Sequence, residues 1–109
     1  MFIIKTANLI INYENIESIW ITKDKKYGYI FAGTPKQYGD GGYDDGYEYG
    51  NVYELYKNDD VVKTRAVFED LMFCICMNQF EDLNIAGYDL NKVDGEDLKA
   101  ARIPRTGNK

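Results

Sequence analysis

Four acids, Asp40, Asp44, Asp45 and Glu48, fall within the stretch "YGDGGYDDGYEYG" (38–50), where they alternate with Tyr38, Tyr43, Tyr47, Tyr49 and five glycines. Hard carboxylate oxygens on a glycine-rich loop suit calcium, but an EF-hand loop needs oxygen donors at positions 1, 3 and 5, Gly at 6 and Glu at 12. With Gly46 at position 6, Gly41 and Tyr43 occupy 1 and 3 and Val52 occupies 12. The spacing fails, so neither a metal nor a cofactor is expected. Recognition fits better. Tyr offers contact area at low entropic cost, and carboxylates every two or three residues resemble spaced phosphates that a basic surface would hold. Tyr38, Asp40, Tyr43, Asp44, Asp45, Tyr47, Glu48 and Tyr49 are therefore the candidate partner-binding residues. A passive linker, or pairing of these acids with Lys99, Arg102, Arg105 and Lys109, is the competing reading.

Nothing else in the chain has the makings of a catalytic centre. There is no His, the only Ser is Ser18, and Cys74 and Cys76 stand as C-x-C in an apolar run. That spacing matches neither a metal site nor a redox dithiol, and no basic neighbour is placed to lower a thiol pKa. Both cysteines are expected as free, buried thiols of a cytoplasmic protein. No phosphate-cradling glycine motif is present, and the acids beside "GDGG" would repel phosphate. An enzyme is not expected.

At 109 residues, 45% hydrophobic and 28% charged, the chain has the makings of one globular domain. The net charge is -5, and outside 38–50 there are 13 bases against 14 acids, so the local run carries most of the imbalance. This acidity argues against direct nucleic-acid or anionic-membrane binding. No run approaches 18 apolar residues.

"FIIK" (2–5), "LIIN" (9–12), "IESIWITK" (16–23), "KYGYIFAG" (26–33) and "NVYELY" (51–56) read as strands separated by turn residues. The spacing predicts an α+β domain over 1–90, with a four- to five-stranded antiparallel meander packed on one long helix. The acidic Tyr-rich segment is a long loop at 34–50. Gly28 within its strand signals a bulge or a close backbone approach. Tyr27, Tyr29 and Phe31 share a face beside Lys23, Lys25 and Lys26, and could stack a base or other ligand. The chain's acidity favours packing of these rings under the helix instead.

"NDD" (58–60) is a helix start, and the helix is predicted from Asp60 to Phe80. Helical spacing gives one stripe of Val61, Phe68, Leu71, Met72 and Ile75. A second stripe holds Val62, Ala66, Phe73, Met77 and Phe80. A helix on one sheet needs only one stripe, so Ala66, Phe73, Met77 and Phe80 are a candidate homodimer or partner face. Residues 91–109 read as a polar, basic tail.

"LIINYENIESIWI", then "KYGYIFAG" and a helix, resembles small uncharacterised β-meander-plus-helix proteins of low-GC Gram-positive bacteria and their phages. The likeness spans 2–80. It implies a meander capped by one helix, with no reaction and no functional residues, and leaves out 38–50 and the tail. In size and acidity the chain is similar to phage-encoded inhibitors of host defence, the anti-CRISPR proteins among them. On that analogy the expected function is a non-enzymatic interaction module that sets its acidic loop against a basic site on a nucleic-acid-binding host protein. The alternatives are a homo-oligomeric assembly module and a nucleotide or small-ligand binder on the aromatic sheet face.

Overall fold

Asp60 starts the helix as the sequence leads one to expect: its carboxylate accepts from the amides of Val62 at 3.0 Å and Lys63 at 3.2 Å, satisfying donors that have no partner within the helix. A computed structural model describes residues 1–35 and 49–105, and in it helix α1 runs Val61–Met77. It stops short of the expected Phe80 because the last turn tightens, with the Phe80 amide donating to the Met77 carbonyl at 2.9 Å. The Asn78 side chain then donates to the Ile85 carbonyl at 2.8 Å.

Among the described residues seven strands flank the helix: β1 (Ile3–Lys5), β2 (Ile10–Asn12), β3 (Ser18–Lys23), β4 (Gly28–Pro35), β5 (Tyr49–Asn58), β6 (Gly87–Asp89) and β7 (Arg102–Ile103). The class is α+β with a sheet packed on a helix. The antiparallel meander comprises β3-β4-β5, while β1 and β2 belong to a second sheet ordered β2-β1-β6-β7. In that sheet β1 runs parallel to β6. The first two strands thus pair with residues after the helix rather than extending the meander.

The segment expected as a tail completes this second sheet. Val93 and Ala101 are fully buried, and β7 pairs with β6. Arg105 reaches back to the helix end, its guanidinium donating to the Asn78 carbonyl and its amide to Asn84 Oδ1 at 3.1 Å. A cation is favourable there, where the helix dipole is negative.

The buried face of α1 is Thr64, Val67, Leu71 and Cys74, spaced three and four apart. This lies about 75° around the helix from the expected first stripe. Leu71 belongs to both, Phe68, Met72 and Ile75 flank the buried face, and Val61 is exposed. Each fully buried Leu or Val contributes about 1.5–3 kcal/mol of transfer free energy. Against this face lie Ile30 and Ala32 of β4 and Leu55 and Tyr56 of β5. Leu55 and Tyr56 are buried although consecutive, because the pairing slips by one residue between Ile30 and Phe31. Gly28 serves the close approach: a Cβ there would lie 2.7 Å from Thr64 Oγ1.

Candidate interaction surface

With Ile30 and Ala32 committed to the helix, strand alternation turns Tyr29 and Phe31 to the opposite face. Packing of these aromatics under the helix, the reading that the acidity favoured, is therefore overturned. The β4 side chains beneath the helix are the smaller, aliphatic pair Ile30 and Ala32, which lets α1 approach β4 closely.

The rings form a ladder. Trp20 of β3 sits opposite Phe31 with centroids 5.9 Å apart. Phe31 stacks on Tyr29 at 5.5 Å and 14°, and Tyr29 meets Tyr27 at 6.2 Å. All four are half-buried, and Trp20 has further contacts of its own. Glu54 lies opposite Phe31 and Lys57 opposite Tyr29. The Lys57 ammonium sits 4.3 Å from the Tyr27 ring centre, with that of Lys26 at 5.5 Å, a cation–π arrangement that holds Tyr27 in place.

Asp24 anchors this end of the ladder. One carboxylate oxygen accepts from the Lys26 and Tyr27 amides, both at 2.8 Å, and the other accepts from the Tyr29 hydroxyl at 2.7 Å. The Tyr27 amide foremost, then the Tyr29 hydroxyl and the Lys26 amide, lower the Asp24 pKa to about 2. Tyr29, as the donor to a carboxylate, is raised.

Lys23, Lys25, Lys26 and Lys57 gather at the β3–β4 turn. The connection that leaves β4 at Pro35 and returns at Tyr49 starts from the other end, and β4 spans roughly 25 Å at strand rise. That connection carries Tyr38, Asp40, Tyr43, Asp44, Asp45, Tyr47 and Glu48, all of which lie outside the described residues; Tyr49 opens β5.

The chain matches no family model, no curated protein and no solved structure.

The helical candidates are dispersed. Ala66, Phe73 and Phe80 are exposed, whereas Met77 packs against the core. The Arg102 guanidinium lies 5.1 Å from the Phe73 ring centre. Arg102 itself is held at 2.6 Å by Asp70, which also accepts from the buried Tyr88 hydroxyl at 2.7 Å. Arg102, one of the four bases that the competing reading set against the acids of 38–50, pairs with Asp70 of the helix, while Asp40, Asp44, Asp45 and Glu48 lie outside the described residues. Burial, then the bond to Asp70, push the Tyr88 phenol far above its usual range.

Among the described residues no cluster of three or more metal-ligating side chains occurs, and no helix is long and apolar enough to cross a membrane. A groove of about 520 Å³ beside β2 has Glu14 as its one charged residue among the described residues.

The cysteines differ, correcting the expectation that both are buried. Cys74 is fully buried, and burial raises its pKa to about 11, while Cys76 is exposed. A disulfide reagent at neutral pH is expected to titrate one thiol per native chain, Cys76, and to reach Cys74 only after unfolding. Equal rates for the two in the native protein would contradict this burial.

Sequence reasoning passed over Trp20, Asp24 and Lys57 as members of the surface. A signal was present. Once "DKKY" is taken as the turn, antiparallel pairing places Trp20 opposite Phe31 and Thr22 opposite Tyr29.

Proposed function

We propose that this chain is a non-enzymatic protein-interaction module that docks through the outer face of the β3-β4-β5 sheet. The observation that carries the reading is the ladder Trp20–Phe31–Tyr29–Tyr27, which faces away from the helix. Tyr and Trp in rigid, half-buried array are the residues that dominate binding energy at protein interfaces. The acids of 38–50 fall in sequence between β4 and β5 and suit a basic partner surface. A nucleic-acid-binding protein, whose site is shaped for phosphates and flat bases, is the target class that both features fit. An inhibitor of such a protein is the functional role we favour, in keeping with the resemblance to phage-encoded inhibitors.

The test is affinity capture followed by titration of the purified partner. Phe31→Ser with Tyr27→Ser is expected to weaken binding by roughly thirtyfold or more, the size of an interface hot spot. Neutralising Asp40, Asp44, Asp45 and Glu48 to Asn and Gln is expected to reduce the salt dependence of binding. Undiminished affinity in the aromatic variant, with unchanged circular dichroism, would remove the sheet face from the mechanism. Quenching of Trp20 fluorescence by a thymidine oligonucleotide, with a steep salt slope, would replace the protein partner by single-stranded nucleic acid.

A further inference from the structure

The order β3-β4-β5 leaves β3 at an edge. The turn bond from the Asp24 amide to the Tyr27 carbonyl, 2.9 Å, fixes the phase of the β3–β4 ladder. Trp20 and Thr22 then bond to β4, and the backbone N–H and C=O groups of Ile19 and Ile21, with the N–H of Lys23, point the other way. Among the described residues no strand pairs with this edge.

The first turns of α1 lie alongside. Between them and β3 is a notch of about 250 Å³ lined by Ile21, Lys23, Val61, Thr64 and Arg65 among others. Its apolar walls are Ile21 and Val61. Its charged residues are the cations Lys23 and Arg65, both exposed, and among the described residues no carboxylate lines it. Of the nearby acids, Asp60 caps the helix and Asp24 holds the turn, while Glu69 meets Arg65 itself at 3.9 Å in an exposed i,i+4 pair that an incoming carboxylate would compete with. Thr64 donates to the Asp60 carbonyl at 3.1 Å.

We propose that the β3 edge is a strand-addition site for an extended, acidic segment of a partner protein. The incoming backbone pairs with Ile19, Ile21 and Lys23 and adds a fourth strand to this sheet. Alternate side chains fall toward the helix: an apolar one fills the notch between Ile21 and Val61, and acidic ones lie beside Lys23 and Arg65. A notch this small holds one side chain rather than a drug-sized ligand, whereas the edge supplies backbone partners every second residue. A lysine on an edge strand also discourages indiscriminate pairing, so Lys23 both repels basic strands and favours acidic ones. This surface is distinct from the aromatic ladder and does not depend on it.

The experiment uses the full 15N-labelled chain and two capped heptapeptides, Glu-Val-Glu-Val-Glu-Val-Glu and its counterpart with Lys for Glu. The acidic peptide is expected to slow amide exchange at Ile19, Ile21 and Lys23 and to shift the resonances of Val61 and Arg65. The basic peptide is expected to do neither. Lys23→Glu with Arg65→Glu should weaken the acidic peptide by roughly tenfold and reverse the preference. Both positions are exposed, and unchanged β4 amide exchange will report an intact fold. No protection at millimolar acidic peptide, equal binding of both peptides, or shifts confined to other surfaces would overturn the proposal. Protection of the same amides that grows with protein concentration alone would replace the partner by a second copy of the chain.

Discussion

Replacing Asp70 with Ala is expected to destabilise the fold by about 3 kcal/mol, the cost of leaving a half-buried cation and a buried hydroxyl without their acceptor. The side chains of Asp70 and Arg102 are only 13% and 24% exposed, so this pair is shielded far better than a surface ion pair, and Tyr88 is wholly buried. Asp70→Asn retains an acceptor for the Tyr88 hydroxyl and should lose less. Replacing all three partners together, as Asp70→Ala with Arg102→Met and Tyr88→Phe, should recover part of the loss, since no unpaired polar group remains. Urea unfolding reads these differences as midpoint shifts at constant slope. A loss below about 1 kcal/mol for Asp70→Ala would demote the pair to a surface interaction. The same site sets an alkaline limit. Because the folded-state pKa of Tyr88 is raised above its ordinary 10.0, its contribution is fully present below that pH and is lost as pH climbs toward the folded value. Tyr88→Phe should flatten this decline. Tyr56, held near 12 by burial and by its bond to Asp94, retains a smaller share of it.

Gly87→Ala is the second substitution with a large expected effect. Gly87 pairs with Ile3 on one side and Ile103 on the other, and a Cβ there would fall on the Ile3 carbonyl oxygen, with Ile103 Cδ1 at 3.2 Å. The first obstacle is backbone in a strand pair and cannot swing aside, so β6 must shift from its seat. The expected cost is about 3 kcal/mol, at the upper end for overpacking. In a domain of this size that lowers Tm by more than about 10 °C. Gly95→Ala is the matched control. Its nearest neighbour beyond the adjoining residues, the Lys92 carbonyl oxygen, is 3.9 Å away, so a change within about 0.5 kcal/mol is expected there. Equal melting temperatures for the two variants would contradict the close seating of β6.

Several of these features were legible in the sequence, and the rest were hidden for identifiable reasons. The cap at Asp60 and the strands 16–23, 26–33 and 51–56 follow from local chemistry, and the structure has them within a few residues. The phase of α1 was harder. Thr64 and Cys74 do not register in an aliphatic stripe, yet Thr64 can be buried because its hydroxyl donates to the Asp60 carbonyl one turn back. β6 is three residues, all buried, so it shows neither alternation nor length. Its partners are 84 residues upstream and 14–16 downstream, which no local pattern reveals. The C-terminal segment buries only scattered residues such as Val93 and Ala101, too sparse for a period among polar neighbours. For the surface, alternation separated Tyr29 and Phe31 from Ile30 and Ala32, but not which set the helix covers. Close approach at Gly28 decides that, and it depends on Thr64, thirty-six residues further along.

The parallel pairing of β1 with β6 has a consequence for a chain emerging from the ribosome. The hairpins of the three-stranded sheet and the helix packed on it draw on residues 18 to 77 and can form as each part appears. Strand β1 is made first but must wait for residues 87–89, and its sheet is complete only at Ile103. Until then Ile4 and Phe2, both buried at the end, have no finished sheet to enter. Loop closure over such a separation is entropically costly and slow. The β1–β2 hairpin is therefore the element for which a chaperone, or a slow kinetic phase, has the longest opportunity to act.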